Sequence, residues 1–125
     1  MLIYHVARAS DWDAAQSTGS YRVSTLGRTL DDEGFIHCSY ADQVAGVANA
    51  YYAGVAESLV LLAVDTDRVG SEVIAENTGG GIELFPHVYG PIPVAAVATV
   101  TELTRDADDR IVVPALPPAT AASPE

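Results

Sequence analysis

Residues 58–65 read Ser-Leu-Val-Leu-Leu-Ala-Val-Asp, "SLVLLAVD", and the fold turns on this stretch. Six consecutive apolar residues, with neither a helical stripe nor strict alternation, have the length of a strand buried on both faces. The run is far short of the roughly 20 residues that a membrane span needs. Upstream, Leu2 to Ala7 alternates as a first strand, and Ser10-Asp11-Trp12-Asp13 has the pattern of a capping box opening a short helix that ends near Gly19. Tyr21 to Val23 is short and β-prone. Ser24 begins an irregular stretch with Gly27 and the acidic run Asp31-Asp32-Glu33.

Gly34 opens a second strand over "FIHC". Ser39 or Asp42 then caps a helix whose Val44, Val47, Ala48 and Tyr51 share one face. Beyond the central run, Glu72 to Glu76 reads as a strand and Gly79-Gly80-Gly81 as a flexible turn. Ile82 to Phe85 reads as a strand stopped by Pro86, which cannot donate to a ladder. "PHVYGPIP" excludes a regular helix, Val97 to Thr104 alternates as a strand, and "RIVV" adds a last one. The order predicts an α+β fold with short helices packed on a mixed sheet, in one domain over residues 1–113. A disordered tail rich in proline and alanine follows over residues 114–125.

Composition narrows the function. The chain has 125 residues, 49% of them hydrophobic, as globular domains do. The start "MLIYHVARASDW" has no basic segment or cleavage site of a signal peptide, which predicts a cytoplasmic protein. A single cysteine allows no intramolecular disulfide and no multi-cysteine metal site. Seventeen acidic residues face six arginines and no lysine, for a net charge of −11. That balance argues against broad nucleic-acid binding, and the missing lysine removes Schiff-base and P-loop chemistry.

The chain has only three histidines, His5, His37 and His87, each on or beside a different expected strand among apolar or aromatic neighbours. A histidine in such surroundings needs its ring nitrogens paired. Three of them at strand positions point to one pocket rather than to three separate core sites. A three-histidine metal site is one reading, but no pair has a short ligand spacing. A Cys38 nucleophile is another, but strand alternation sends His37 and Cys38 to opposite faces. The third is nucleotide binding. Ser39 would offer a helix N-terminus to phosphate, and Tyr21, Tyr40, Phe85 and Tyr89 would offer stacking faces.

"IYH" at Ile3–His5, "GFIHCS" at Gly34–Ser39 with Gln43 and Asn49 behind it, and "FPHVYGPI" at Phe85–Ile92 with Glu76 upstream resemble the bacterial domain-of-unknown-function family 952. The resemblance runs from Leu2 to about Leu103, and that family is similar in fold to the ADP-ribosyltransferase superfamily. It implies a split, curved β-sheet that binds NAD in a central cleft. His5 would meet a ribose, and Tyr21 and Ser24 would share the lining near the nicotinamide. Transferases of this kind place a glutamate in the third motif. Here His87 stands at that position, with Glu76 and Glu83 upstream. The expectation is a pocket of His5, His37 and His87 that binds NAD or a related nucleotide and transfers an ADP-ribosyl or phosphoryl group. Ser39, Glu76, Phe85 and Tyr89 would complete it, with no metal. A metal-dependent hydrolase and a non-catalytic small-ligand module are the alternatives.

Overall fold

Leu59–Asp65 is the middle strand of a three-stranded antiparallel sheet, between Leu2–Arg8 and Val97–Glu102. The structure is a computed structural model describing residues 1–116, so most of the expected tail lies outside the described residues. In chain order the elements are β1 (Leu2–Arg8), α1 (Ala9–Thr18), β2 (Ser20–Tyr21), β3 (Val23–Thr25), β4 (Arg28–Thr29), α2 (Leu30–Glu33) and β5 (Ile36–His37). They continue with α3 (Val44–Tyr51), β6 (Leu59–Asp65), β7 (Val73–Glu76), β8 (Phe85–Val88), β9 (Ile92–Pro93), β10 (Val97–Glu102), β11 (Thr104–Arg105) and β12 (Ile111–Val112).

The expected burial of the central run on both faces is what the core requires. Val60, Leu62 and Val64 join Ile3, Trp12, Tyr21 and Ile92 on one side of the sheet. Leu59, Leu61 and Ala63 join Tyr4, Val44, Ala48 and Tyr52 on the other. Each large aliphatic chain so buried contributes about 1.5–3 kcal/mol. Leu116 packs against the second cluster, so ordered packing extends past residue 113.

A second three-stranded sheet, in the order β5–β8–β7, carries the histidine motifs His37 and His87 of the sequence. Every strand pairing among the described residues is antiparallel, which corrects the expected mixed sheet. Parallel neighbours need a crossover that returns to the same sheet. Here α3 carries the chain from one sheet to the other, so no such unit forms.

Four other local readings change. Helix α1 starts at Ala9, and Ser10 does not cap it; the Ser10 N–H is met instead by Glu57 across the fold at 2.8 Å. The acidic run is a one-turn helix, because Thr29 and Asp32 cap one another's backbone N–H at 3.2 and 2.9 Å. Residues 82–84 are irregular. Asn77 folds them into a loop by accepting from Gly79 and Gly81 and donating to the Glu83 carbonyl.

Strand β8 then runs through Pro86 instead of stopping before it. His37 pairs with His87, so the missing N–H of Pro86 falls opposite Cys38, just where β5 ends. The Pro86 carbonyl still accepts from Cys38 at 3.1 Å.

Candidate functional site

The two sheets meet along one seam, and His5 explains why the seam opens. Tyr4 and Ser39 exchange both backbone hydrogen bonds, at 2.8 and 2.7 Å. In a continued antiparallel ladder the next such pair would be Val6 with His37. The His37 carbonyl instead accepts from the His5 ring at 2.6 Å, so an imidazole stands where a backbone N–H would. Alternation along β1 turns the Val6 N–H and C=O away from β6, toward this gap. Neither meets a partner among the described residues.

His5 is part of the frame. It is buried, and a carbonyl only accepts, so Nδ1 carries the proton and Nε2 accepts from the Tyr21 hydroxyl at 2.8 Å. Burial pushes its pKa down to about 4, which keeps it neutral at pH 7.

His37 and His87 are cross-strand partners on β5 and β8, and their rings lie 5.1 Å apart, edge to face. Each is backed by a carboxylate. His37 Nε2 donates to Glu33 at 3.2 Å, and Arg28 holds the other Glu33 oxygen at 2.8 Å. His87 Nδ1 donates to Glu76 at 2.9 Å, and the Tyr89 hydroxyl donates to the same oxygen. Phe35 stacks on the His87 ring at 4.2 Å. Desolvation holds the His87 pKa below its ordinary value, against the pull of Glu76. The two hydrogen bonds hold the Glu76 carboxyl below its usual range.

The His37 and His87 imidazoles face a cleft of about 660 Å³. All three histidines line it, as do Ser39 and Phe85 among the expected site residues. Tyr21, Ser24, Glu76 and Tyr89 do not. Tyr21 is core beneath His5, and the Ser24 hydroxyl donates to the Phe35 carbonyl. Glu76 and Tyr89 act behind His87. Ser39 begins no helix: it is locked in the bridge to Tyr4, and the following turn, Ala41–Gln43, starts after Tyr40. The expected phosphate site at a helix end there is therefore corrected. Cys38 is buried and its thiol is pushed above its usual range, which suits a core residue.

Sequence reasoning missed Glu33, Phe35 and Val6. The first is the last residue of the short helix α2, four residues before His37, and that helix was not expected. Val6 acts through its backbone, so its side chain carries no signal. No three of His, Cys, Asp or Glu are grouped to hold a metal ion among the described residues. His5, with both nitrogens engaged, is a poor ligand for one.

Tyr4 lines the same cleft, and its hydroxyl is buried with no hydrogen-bond partner among the described residues. Such a group costs about 1–3 kcal/mol. Tyr4→Phe is therefore expected to raise stability by about 1 kcal/mol, read as a higher urea midpoint. A lower midpoint would mean that the hydroxyl has a partner in solution.

No helix of the described residues is long and apolar enough to cross a membrane. Among curated proteins none matches the chain. Two structures of protein CC0527 from Caulobacter crescentus are similar to it. Its X-ray structure is 35% identical, with 90% of this chain and 94% of that chain covered and a TM-score of 0.76. Its solution NMR structure is 35% identical over 88% and 90%, with a TM-score of 0.71. The model of a protein family of unknown function, DUF952, matches residues 6–100, the span that carries most of the first sheet, all of the second and all but the first of the cleft histidines. With most of the chain matched by that model, the protein belongs to the DUF952 family.

Proposed function

We propose that the cleft binds NAD or a related nucleotide by its nicotinamide–ribose end. The observation that carries this reading is the open seam at Val6. One residue offers an N–H and a C=O side by side, without partners among the described residues. A carboxamide presents the complementary acceptor and donor, so it pairs with Val6 as one strand pairs with the next. A split β-sheet is also what a kinship of the DUF952 motifs with the ADP-ribosyltransferase superfamily would imply.

The charge of the lining fits one end of the nucleotide better than the other. None of the lining residues is Asp, Glu, Lys or Arg. The pyrophosphate has no cation there and stays at the mouth, while the positively charged nicotinamide riboside is favoured by a net charge of −11. His37, His87 and Phe85 then surround the ribose and ring.

Titration calorimetry with NAD, nicotinamide riboside and ADP-ribose tests the reading. NAD and the riboside are expected to bind, and ADP-ribose about tenfold more weakly, the equivalent of about 1.4 kcal/mol. Val6→Pro removes the N–H that faces the open edge, along with a buried valine side chain. It is expected to weaken the riboside by at least a similar factor, with unfolding followed in parallel to establish that the variant folds. If none of the three binds the wild-type chain, the nucleotide reading is wrong.

A further inference from the structure

His87 is the imidazole whose surroundings leave one nitrogen to act. Its Nδ1–H is given to Glu76, which also accepts from Tyr89, so the tautomer is fixed and Nε2 carries a lone pair. Nε2 has no hydrogen-bond partner among the described residues, yet it is not sealed off as the Tyr4 hydroxyl is. Phe35, stacked at 4.2 Å, fixes the plane of the ring. His5 has both nitrogens occupied, and His37 is half exposed at the rim. A carboxylate-held imidazole with a free nitrogen on a cleft is the arrangement of a general base.

We infer that His87 takes the proton of an acceptor hydroxyl as the ADP-ribosyl group leaves NAD, with Glu76 as its positioning residue, an inference that rests on the nucleotide reading above. The third-motif glutamate of the transferases is thus replaced by an imidazole with a carboxylate behind it. In the step, the bond from the ribose C1 to the nicotinamide nitrogen breaks and its electron pair leaves with neutral nicotinamide. The acceptor oxygen bonds to C1, and its proton passes to His87 Nε2. The acceptor class follows from charge. A guanidinium acceptor needs a carboxylate in the lining and finds none, whereas a hydroxyl donates well to a neutral imidazole. Water is the simplest such acceptor, and a small alcohol competes with it.

The groups that set the pH response are Glu76 from β7, His37 from β5 with Glu33 behind it, and Tyr89, which follows β8 and acts through Glu76. Activity is expected to fall as pH drops through the His87 pKa, below 6.5. Glu76→Gln removes a group that raises that pKa, so the acid limb moves to lower pH and kcat falls about tenfold.

The test is the full chain with NAD in about 1 M methanol, measuring nicotinamide, ADP-ribose and methyl ADP-ribose by chromatography, beside calorimetry with NAD. Expected are turnover by the wild type and a loss of about 10²–10⁴-fold in kcat in His87→Ala and His87→Gln. His87→Gln is expected to keep measurable NAD binding, weakened by about tenfold at most, far less than its loss of kcat, and its unfolding transition establishes that it folds. NAD binding without turnover in the wild type, or turnover retained in both His87 variants, overturns the inference and leaves the binding reading standing. Preference for agmatine over methanol overturns the acceptor class. Absence of NAD binding overturns both readings together.

Discussion

His5→Ala lowers the stability of the fold by about 3–5 kcal/mol, the largest loss expected of any histidine change here. Three costs combine. The substitution leaves a cavity beside Tyr21 and Leu62, whose side chains are buried. It strips the Tyr21 hydroxyl of its acceptor and the His37 carbonyl of its donor. Nothing nearby replaces either, because the seam at that point has no backbone pairing. Urea unfolding followed by tryptophan fluorescence measures the loss, and a fall of the thermal midpoint of on the order of 10 °C accompanies it. A loss below about 1 kcal/mol would mean that His5 is a removable ligand contact rather than the wedge of the seam.

Acid weakens the protein well before its carboxylates titrate. Unfolded His5 takes its proton near 6.5, and folded His5 only near 4. Between those values the unfolded chain binds the extra proton, so stability falls as pH falls, and above the window His5 contributes no slope. The gap converts to about 3 kcal/mol, complete below about pH 4. His87, also held below its ordinary value, acts in the same direction. The carboxyls of Asp32, Glu57 and Glu76 are lowered from 3.8, 4.5 and 4.5, so they begin to act only as pH comes within about one unit of those values. Urea unfolding at several pH values from 7 down to about 5.5 reads almost the histidine part alone, and His87→Gln removes the smaller share. A flat profile over that range would contradict a buried neutral His5.

What could be read from the sequence was local. The central strand and α3 each announce themselves by a run or a stripe of apolar residues within one element, whereas α1 was legible from its glycine stop and not from the capping box read at its start, which does not form. Gly19 ends α1 in the left-handed conformation expected of a helix stop (φ 86°). The three histidines stood out because the chain has no others. Their division of labour did not, because it depends on which carboxylate each meets. Glu33 reaches His37 only because α2 forms, and Glu76 reaches His87 only because β7 lies beside β8. The strand through Pro86 was misread for a similar reason. Proline argues against a ladder position, unless the partner strand ends opposite it, and that is a fact about β5 rather than about Pro86.

The two sheets are threaded through one another along the chain. The first is assembled from residues 2–8, 59–65 and 97–102, the second from 36–37, 73–76 and 85–88. Any continuous stretch that spans one sheet also carries a strand of the other, so neither sheet is encoded as a separate segment. Leu2 must find Asp65, and Val60 must find Glu102, before any strand is buried on both faces. Pairings so distant in sequence make for a slow, all-or-none search, on the order of milliseconds to seconds. The cleft at the seam is therefore among the last features to exist: it is complete only when the whole chain is.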